Sequence, residues 1–316
     1  MTVILCALAV GLLVVSGAFG GEKVFLSFGT SGQGGTTYPV GVGMANIWNK
    51  YIPNLNVSAQ ATGGTANNIQ LFEQGEIEID IGDGLHYEAF TGTDKFAGKK
   101  PLSFLRGVLP VFPETAYILV KKGSPIKSIH DLRGRRVSIG PVASGSEVTN
   151  RALLLLAGID PDKDIFKEHI GRSELVRAFT DNQVDVVMET GAIGFAPVIE
   201  MTTLDLVDFI ELPDDVVEKF VAQKPYYSPF TMPANSYKGQ TKEVKSISNW
   251  VCFYVHESLD ADLVYSMAKA IFDHHEELIN VNKVTQLTQA KYFEAVPVPL
   301  HEGAKRYYRE IGLLKQ

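Results

Sequence analysis

The chain has 316 residues, 45% of them hydrophobic and 21% charged, with a net charge of −7 and a pI of about 5.6. This length is too great for one comfortable core and predicts two domains. No long basic run offsets the acidic balance, which argues against a nucleic-acid-binding surface.

The first twenty residues, MTVILCALAVGLLVVSGAFG, carry no charge and hold an apolar run from Val3 to Val15. Small residues follow, and Ala18, Phe19 and Gly20 fit a cleavage site ahead of Gly21. Residues 1–20 therefore read as a secretory signal peptide cut near Gly20, although the usual basic start is missing. The apolar run is short for a membrane span of ~20 residues. Cys6 follows Val3, Ile4 and Leu5 rather than the small residues of a lipoprotein signal. After cleavage only Cys252 remains, so no intrachain disulfide forms and stability must rest on packing. The mature chain is therefore expected outside the cytoplasm.

From Lys23 onward strands alternate with helices. KVFLSFG reads as a strand, and TYPVGVGMANIWNKY sets Val40, Met44, Ile47, Trp48 and Tyr51 at helical spacing. NVSAQATGG is a second strand and loop, and TANNIQLFEQG a helix with Ile69 and Phe72 on one face, ended by Gly75. EIEIDIGDG alternates Ile77, Ile79 and Ile81 against Glu76, Glu78 and Asp80, the period of a strand. The layout then recurs. RRVSIG is a strand, PVASGS a small-residue loop, and EVTNRALLLLAGI a helix with Val148, Ala152, Leu155 and Leu156 on one face. FKEHIG is a strand, RSELVRAFTDNQ a helix that Ser173 is placed to cap, and VDVVMETG a strand. ETAYILVKKGSPIKSIHDLRG and SNWVCFYVHES are the two expected crossings between lobes. KPYYSPFTMPANSYKGQ reads as irregular, and DADLVYSMAKAIFDHHEELI as a helix burying Leu263, Met267, Ala270 and Ile271. Alternation of this kind implies an α/β fold of parallel or mixed sheets flanked by helices.

In open α/β sheets ligands lie beyond the carboxyl ends of the strands. Those ends here are GTSGQGGTTYP, ATGGT, GDG, PVASGS, GRSE and METG, mostly rich in glycine, serine or threonine. Several lead into helix N-termini, whose free N–H groups favour an anion. Nucleotide patterns fail on spacing. A phosphate loop begun at Gly29 meets Gly35 where lysine is required, and a dinucleotide loop begun at Gly32 meets Thr37 where the third glycine belongs. None of the seven histidines sits in HExxH, His274-His275 reads as a solvated face, and no serine lies in a G-x-S-x-G elbow. Neither a metal nor a cofactor is expected. Asp83 and Glu189 fall at corresponding strand ends, where they could form a carboxylate pair across a cleft.

Four segments, TSGQGGTTYPVGVGMANIW, ATGGTANNIQLFEQGEIEIDIG, IKSIHDLRGRRVSIGPVASGSEVTNRALLLLAGI and VPVPLHEGAKRYYREIGLL, together resemble the TAXI family. Its members are extracytoplasmic solute receptors of tripartite ATP-independent periplasmic (TRAP) transporters. The resemblance runs from about Val24 to Leu314. It implies a two-lobed type II periplasmic-binding-protein fold with hinge strands between the lobes. It also implies capture of a small carboxylate or amino acid (glutamate- or glutamine-like, or a 2-oxoacid) and delivery to a membrane permease. By resemblance the first-lobe contacts are Ser31, Gly34, Gly35, Thr36, Thr37, Tyr38, Thr62, Gly63, Gly64 and Thr65, with Tyr38 walling the pocket. The second-lobe contacts are Ser144, Gly145 and Ser146. Related TRAP receptors carry an arginine on the strand matching RRVSIG, where this chain has Ser138. Asp83, with Glu189 and Thr190 of METG on the facing lobe, joins the candidate set: if the acids point inward they favour an ammonium group, and if outward they are merely solvated. Arg172 is either a partner for a carboxylate or a surface arginine beside a helix cap, and the surface reading is preferred. The lobes are expected at 22–118 with 212–255, and at 119–211 with 256–316. Two rival readings remain, an enzyme on the same fold acting on a small carboxylate, and an adhesion protein without a ligand.

Overall fold

A computed structural model describes residues 23–315. The expected signal peptide, residues 1–20, lies outside the described residues. In the first lobe β1 (Val24–Gly29) pairs in parallel with β2 (Leu55–Gln60) and β3 (Ile79–Gly82). They are joined by α1 (Thr37–Tyr51) and α2 (Thr65–Gln74), and α3 (Leu85–Thr91) follows β3. The strand β4 (Leu105–Lys121) then leaves for the second lobe. There β5 (Arg136–Ser138) lies parallel to both β6 (Phe166–Glu168) and β7 (Val186–Gly191). Helices α4 (Gly145–Leu156), α5 (Leu175–Thr180) and α6 (Ala196–Thr203) connect and flank them. The short β8 (Val207–Phe209), α7 (Asp214–Gln223) and β9 (Tyr227–Met232) lead to β10 (Val244–His256), which returns to the first lobe. Helices α8 (Ala261–Asp273), α9 (His275–Val281) and α10 (Glu302–Glu310) close the chain. Among the described residues no helix is long and apolar enough to cross a membrane.

The strands form one continuous sheet in the order β2-β1-β3-β10-β4-β7-β5-β6. β4 and β10 run antiparallel through both lobes, paired from Thr115 with Ser248 to Leu105 with His256. The hydrophobic cores divide at this crossing. Val108, Leu109, Val111 and Phe112 belong with Phe28 and Trp48, whereas Ala116, Ile118 and Val120 belong with Val137, Leu153 and Phe220. In the first core Phe28, Trp48 and Phe253 pack with tilted and edge-on rings at 4.9–5.7 Å between centroids, and Trp48 Nε1–H donates to the Met267 carbonyl at 3.0 Å.

This packing corrects the lobe boundaries expected from sequence. Val264, Met267, Ile271, Leu278, Tyr307 and Tyr308 of the C-terminal helices pack against Phe28 and Trp48, so residues 256–315 complete the first lobe. Leu212, Val216, Phe220, Tyr227 and Ile247 pack with the second. The chain order gave no sign of this, because which lobe a helix joins depends on the direction in which β10 crosses.

Other local expectations change for similar reasons. Asp80, on the polar side of the Ile77-to-Ile81 alternation, is fully buried, because β3 lies in mid-sheet with both faces covered. Leu155, expected on the buried face of α4, is 58% exposed, while Leu153 and Leu154 are buried. Ser173 does not cap α5; its hydroxyl donates to Glu174 at 3.2 Å. The proline- and tyrosine-rich stretch contains β9, an edge strand on β10. His274 stacks on Tyr51 at 3.4 Å, and His275 Nε2 lies 2.5 Å from the Thr285 carbonyl, so the pair is not a solvated face.

Candidate functional site

Three helix N-termini meet where the lobes face each other. α1 starts at Thr37, α2 at Thr65 after Gly64 with φ +106°, and α4 at Gly145. Ser144 caps α4, its oxygen accepting the Glu147 N–H at 3.1 Å while its hydroxyl donates to the Pro141 carbonyl. Between these termini is a cavity of about 30 Å³. The first lobe lines it with Thr30, Ser31, Thr37, Gly64, Thr65 and Asp83, and the second with Gly145, Ser146, Arg172 and Thr190. Glu114 and Val251 of the hinge strands complete it.

The lobes are in contact around this space. The Asn67 N–H of α2 donates to the Ala143 carbonyl across the seam at 3.0 Å. A Cβ on Gly145 would lie 1.7 Å from Asp83 Oδ2, and one on Gly34 would lie 2.6 Å from the Ser173 nitrogen. These two glycines are therefore needed for the opposing lobes to approach. Beside the cleft, Lys224 of the second lobe forms a buried ion pair with Glu88 of α3. Lys224 also reaches Asp94 at 3.1 Å, and Tyr226 donates to Glu88 at 2.5 Å.

The charged groups of the cleft converge on the hinge. Asp83 Oδ1 accepts the Leu85 N–H at 2.9 Å, and the Asp83 N–H donates to Thr65 Oγ1 at 3.2 Å. Burial raises the Asp83 pKa, against the lowering effect of the Leu85 N–H and His86. Glu114 stands opposite Asn249 in the β4–β10 ladder and accepts from its amide nitrogen at 3.3 Å. The Asn249 oxygen in turn accepts the Gly84 N–H, tying the hinge to the loop that carries Asp83. Burial and the Asp83 carboxylate push the Glu114 pKa up to about 8, against Arg172 and Asn249.

Arg172 enters from the loop after β6 and donates to Ser146 Oγ at 2.7 Å and Glu189 Oε1 at 3.0 Å. Burial opposes its charge, but Glu189 more than offsets this and its pKa is raised. Arg172 Nε and Glu189 Oε2 are buried without a hydrogen-bond partner among the described residues, which leaves polar capacity beside the cavity. Behind Asp83, His86 Nδ1 donates to the Asp83 carbonyl at 2.9 Å, and its Nε2 shares a proton with Asp80 at 3.0 Å. The Asp80–His86 pair is fully buried and stacked under Tyr254.

The structure divides the residues expected from sequence. Ser31, Thr37, Gly64, Thr65, Asp83, Gly145, Ser146 and Thr190 line the cavity. Others hold the loops in shape. Thr62 Oγ1 donates to the Thr30 carbonyl, Gly63 N–H donates to Asn67, and Gly35 N–H closes a turn onto the Gly32 carbonyl. Thr36 and Tyr38 are half-buried and do not line the cavity, so Tyr38 is not its wall. Glu189 stands behind the cavity and reaches it through Arg172. Glu189 and Asp83 are both buried, which corrects the solvated alternative, and the surface reading of Arg172 is corrected with it. Thr30, Val251 and Glu114 were not anticipated. Glu114 carried one signal, a lone acid at the head of the apolar crossing segment.

Residues 28–312 match the NMT1-like family. The fold aligns with the alkanesulfonate-binding protein SsuA from Xanthomonas axonopodis pv. citri bound to MOPS, at 12% identity and a TM-score of 0.50, over 94% of this chain and 96% of that one. It aligns equally with the arginine-, lysine-, histidine-binding protein ArtJ from Geobacillus stearothermophilus, at 12% identity and a TM-score of 0.50, over 87% of this chain and 99% of that one. At such identities the likeness is one of architecture. The two lobes, crossed by β4 and β10, have the type II periplasmic-binding-protein fold.

Proposed function

The chain belongs to the NMT1-like family, and from that membership and the geometry of the cleft we propose that it is an extracytoplasmic solute-binding protein. It captures a small carboxylate or amino acid between its lobes and delivers it to a membrane permease of the TRAP type, without catalysis of its own. The observation that carries this reading is the cleft itself. Residues from both lobes and the hinge line one space that, at about 30 Å³, takes little more than a water. A solute there needs these side chains to draw back, and it then favours a closed form by touching both lobes. The helix N-termini and Arg172 provide for a carboxylate. The TRAP assignment follows the sequence resemblance, and export to the periplasm follows the signal read at residues 1–20.

A thermal-shift panel of amino acids, dicarboxylates and 2-oxoacids tests the reading. A solute at a hundred times its Kd is expected to raise Tm by roughly 5 °C or more, and native mass spectrometry should recover it unchanged. A Thr37→Ala, Ser146→Ala chain should fold but lose the rise. Chemical conversion of the bound solute would favour the enzyme reading, and a panel without any shift would remove the receptor reading.

Gly145 offers a test of closure. Gly145→Val is expected to leave both lobes folded, because valine is tolerated in the first turn of a helix at modest cost. Its side chain would occupy the place of Asp83 Oδ2. In small-angle scattering, a solute that compacts the native chain should leave the radius of gyration of this variant unchanged. Equal compaction would show that the seam is not the closing surface.

A further inference from the structure

The cleft holds more acid than its cations balance. Asp83, Glu114 and Glu189 converge there against one guanidinium, and Arg172 is already engaged by Glu189 and Ser146. No lysine lines the cavity. Asp83 faces His86 and Glu88 of α3 and Thr65 of α2, but the His86 imidazole is committed to Asp80. Around Glu114 stand Asp83, Arg172, Glu189 and Asn249, with Tyr117 and Tyr227 nearby. Asp83 and Glu114 line the same small cavity, and among the described residues this pair has no cation of its own, although Asp83 is 5% exposed and Glu114 9%. Two neighbouring carboxyls out of water do not both ionise unless a positive charge joins them.

We propose that the captured solute carries a cationic nitrogen seated between Asp83 and Glu114 at the hinge, and that this cation takes the place of a proton on the carboxyl pair. The proposal rests on the solute-receptor reading and narrows its ligand class to solutes bearing an amine. The balance is simple. The carboxyl pair releases one proton to solvent and the ammonium enters with one positive charge, so the charge at the hinge carboxyls is unchanged, and the solute's carboxylate adds one negative charge at the other end of the cleft. The solute's carboxylate then points toward the α1 and α4 N-termini and Arg172. A dicarboxylate without an amine would add charge to a cleft already rich in acids and is disfavoured. Position on the hinge gives Glu114 a second consequence, since the strands that pivot carry the group that senses the amine.

The test compares each L-amino acid that stabilises the purified protein with its own 2-oxoacid, which differs only at the amine. Calorimetry should find the 2-oxoacid weaker by on the order of 100-fold or more. Titration at pH 7 in phosphate and in Tris should show release of roughly half to one proton per amino acid bound. Affinity should rise with pH by up to about tenfold per unit, levelling near pH 8 where Glu114 ionises unaided. Glu114→Gln should abolish the release, and if that variant does not fold the native titration still decides. A 2-oxoacid or dicarboxylate that binds as tightly as the amino acid, or binding without proton release, overturns this proposal alone. Failure of every amino acid, 2-oxoacid and dicarboxylate to bind overturns the receptor reading and this proposal with it.

Discussion

Replacing Lys224 by methionine is expected to weaken solute binding by on the order of 100-fold while each lobe remains folded. Lys224 follows α7 in the second lobe, and its ammonium sits on Glu88 and Asp94 of the first. Glu88 is fully buried and also receives the Tyr226 hydroxyl and the Lys95 N–H. Removing one member of a buried ion pair costs about 3–5 kcal/mol, because the other charge is stranded away from water. That cost falls on the closed form. With the lobes apart, Glu88 would meet water, so the loss should show in affinity rather than in the stability of either core. The Tyr226 hydroxyl and the Lys95 N–H still donate to Glu88 in the variant, which holds the effect to the lower end of that range. Glu88→Gln alone should lose less, since Lys224 keeps the partly exposed Asp94. The double variant should recover part of the loss because neither charge is then stranded. Calorimetry on the four chains decides the matter, and native affinity in Lys224→Met would show that the pair does not hold the lobes together.

Much of the fold was legible because strong periodicity reports burial directly. α1 has the limits its apolar spacing suggested, Thr37 to Tyr51, and Gly75 ends α2 in the left-handed conformation that glycine tolerates best. The doubled strand-and-helix layout also appears in both lobes. What the pattern could not carry was context. Alternation at Asp80 looks the same whether the polar side meets solvent or a buried histidine, and here His86 from the next helix supplies the partner. The lobe membership of α8 to α10 depends on where β10 ends, a long-range property with no local trace.

The candidate site was legible as loops but not as charges. Small-residue strand ends were recognisable, and eight of the expected residues do line the cavity. Gly145 and Gly34, expected to touch a ligand, also have the task of letting the lobes meet. Arg172 was hard to place because an arginine beside a helix start is ordinarily solvated, whereas here it is held by Ser146 and Glu189 and lies against Gly34 and Gly35 of the facing lobe. Glu114 was harder still. It follows Pro113 within one long strand, and whether its carboxyl faces the cleft depends on the register of β4 against β10, where Asn249 stands opposite.

The solute-free protein is expected to be most stable near pH 5 and to lose stability steadily toward pH 8. Four buried groups at or behind the cleft set the direction. Asp80, Asp83 and Glu114 are raised chiefly by burial, and His86 is raised because Asp80 and the Asp83 carbonyl outweigh its burial. A group whose folded pKa lies above its unfolded value binds more protons in the native state between the two. Its stabilisation is full below the unfolded value and is lost as pH rises through the folded one. For Glu114 that window runs from an ordinary carboxyl value, about 4.3, to about 8, with a slope of at most ~1.4 kcal/mol per pH unit. Asp160, Asp162 and Asp185 act in the opposite sense, being lowered by hydrogen bonds from Lys163, Arg151 and Arg136. Their stabilisation is lost only as pH falls below the carboxylate range, and exposure makes it small. His301, lowered by burial, also opposes the trend, but only as pH falls through the histidine range. Melting curves from pH 4.5 to 8.5 should therefore slope downward in the native chain and more gently in Glu114→Gln. Matching slopes would place the titrating group elsewhere. A saturating amino acid should flatten the native curve, because its ammonium stabilises the ionised pair that the empty cleft disfavours.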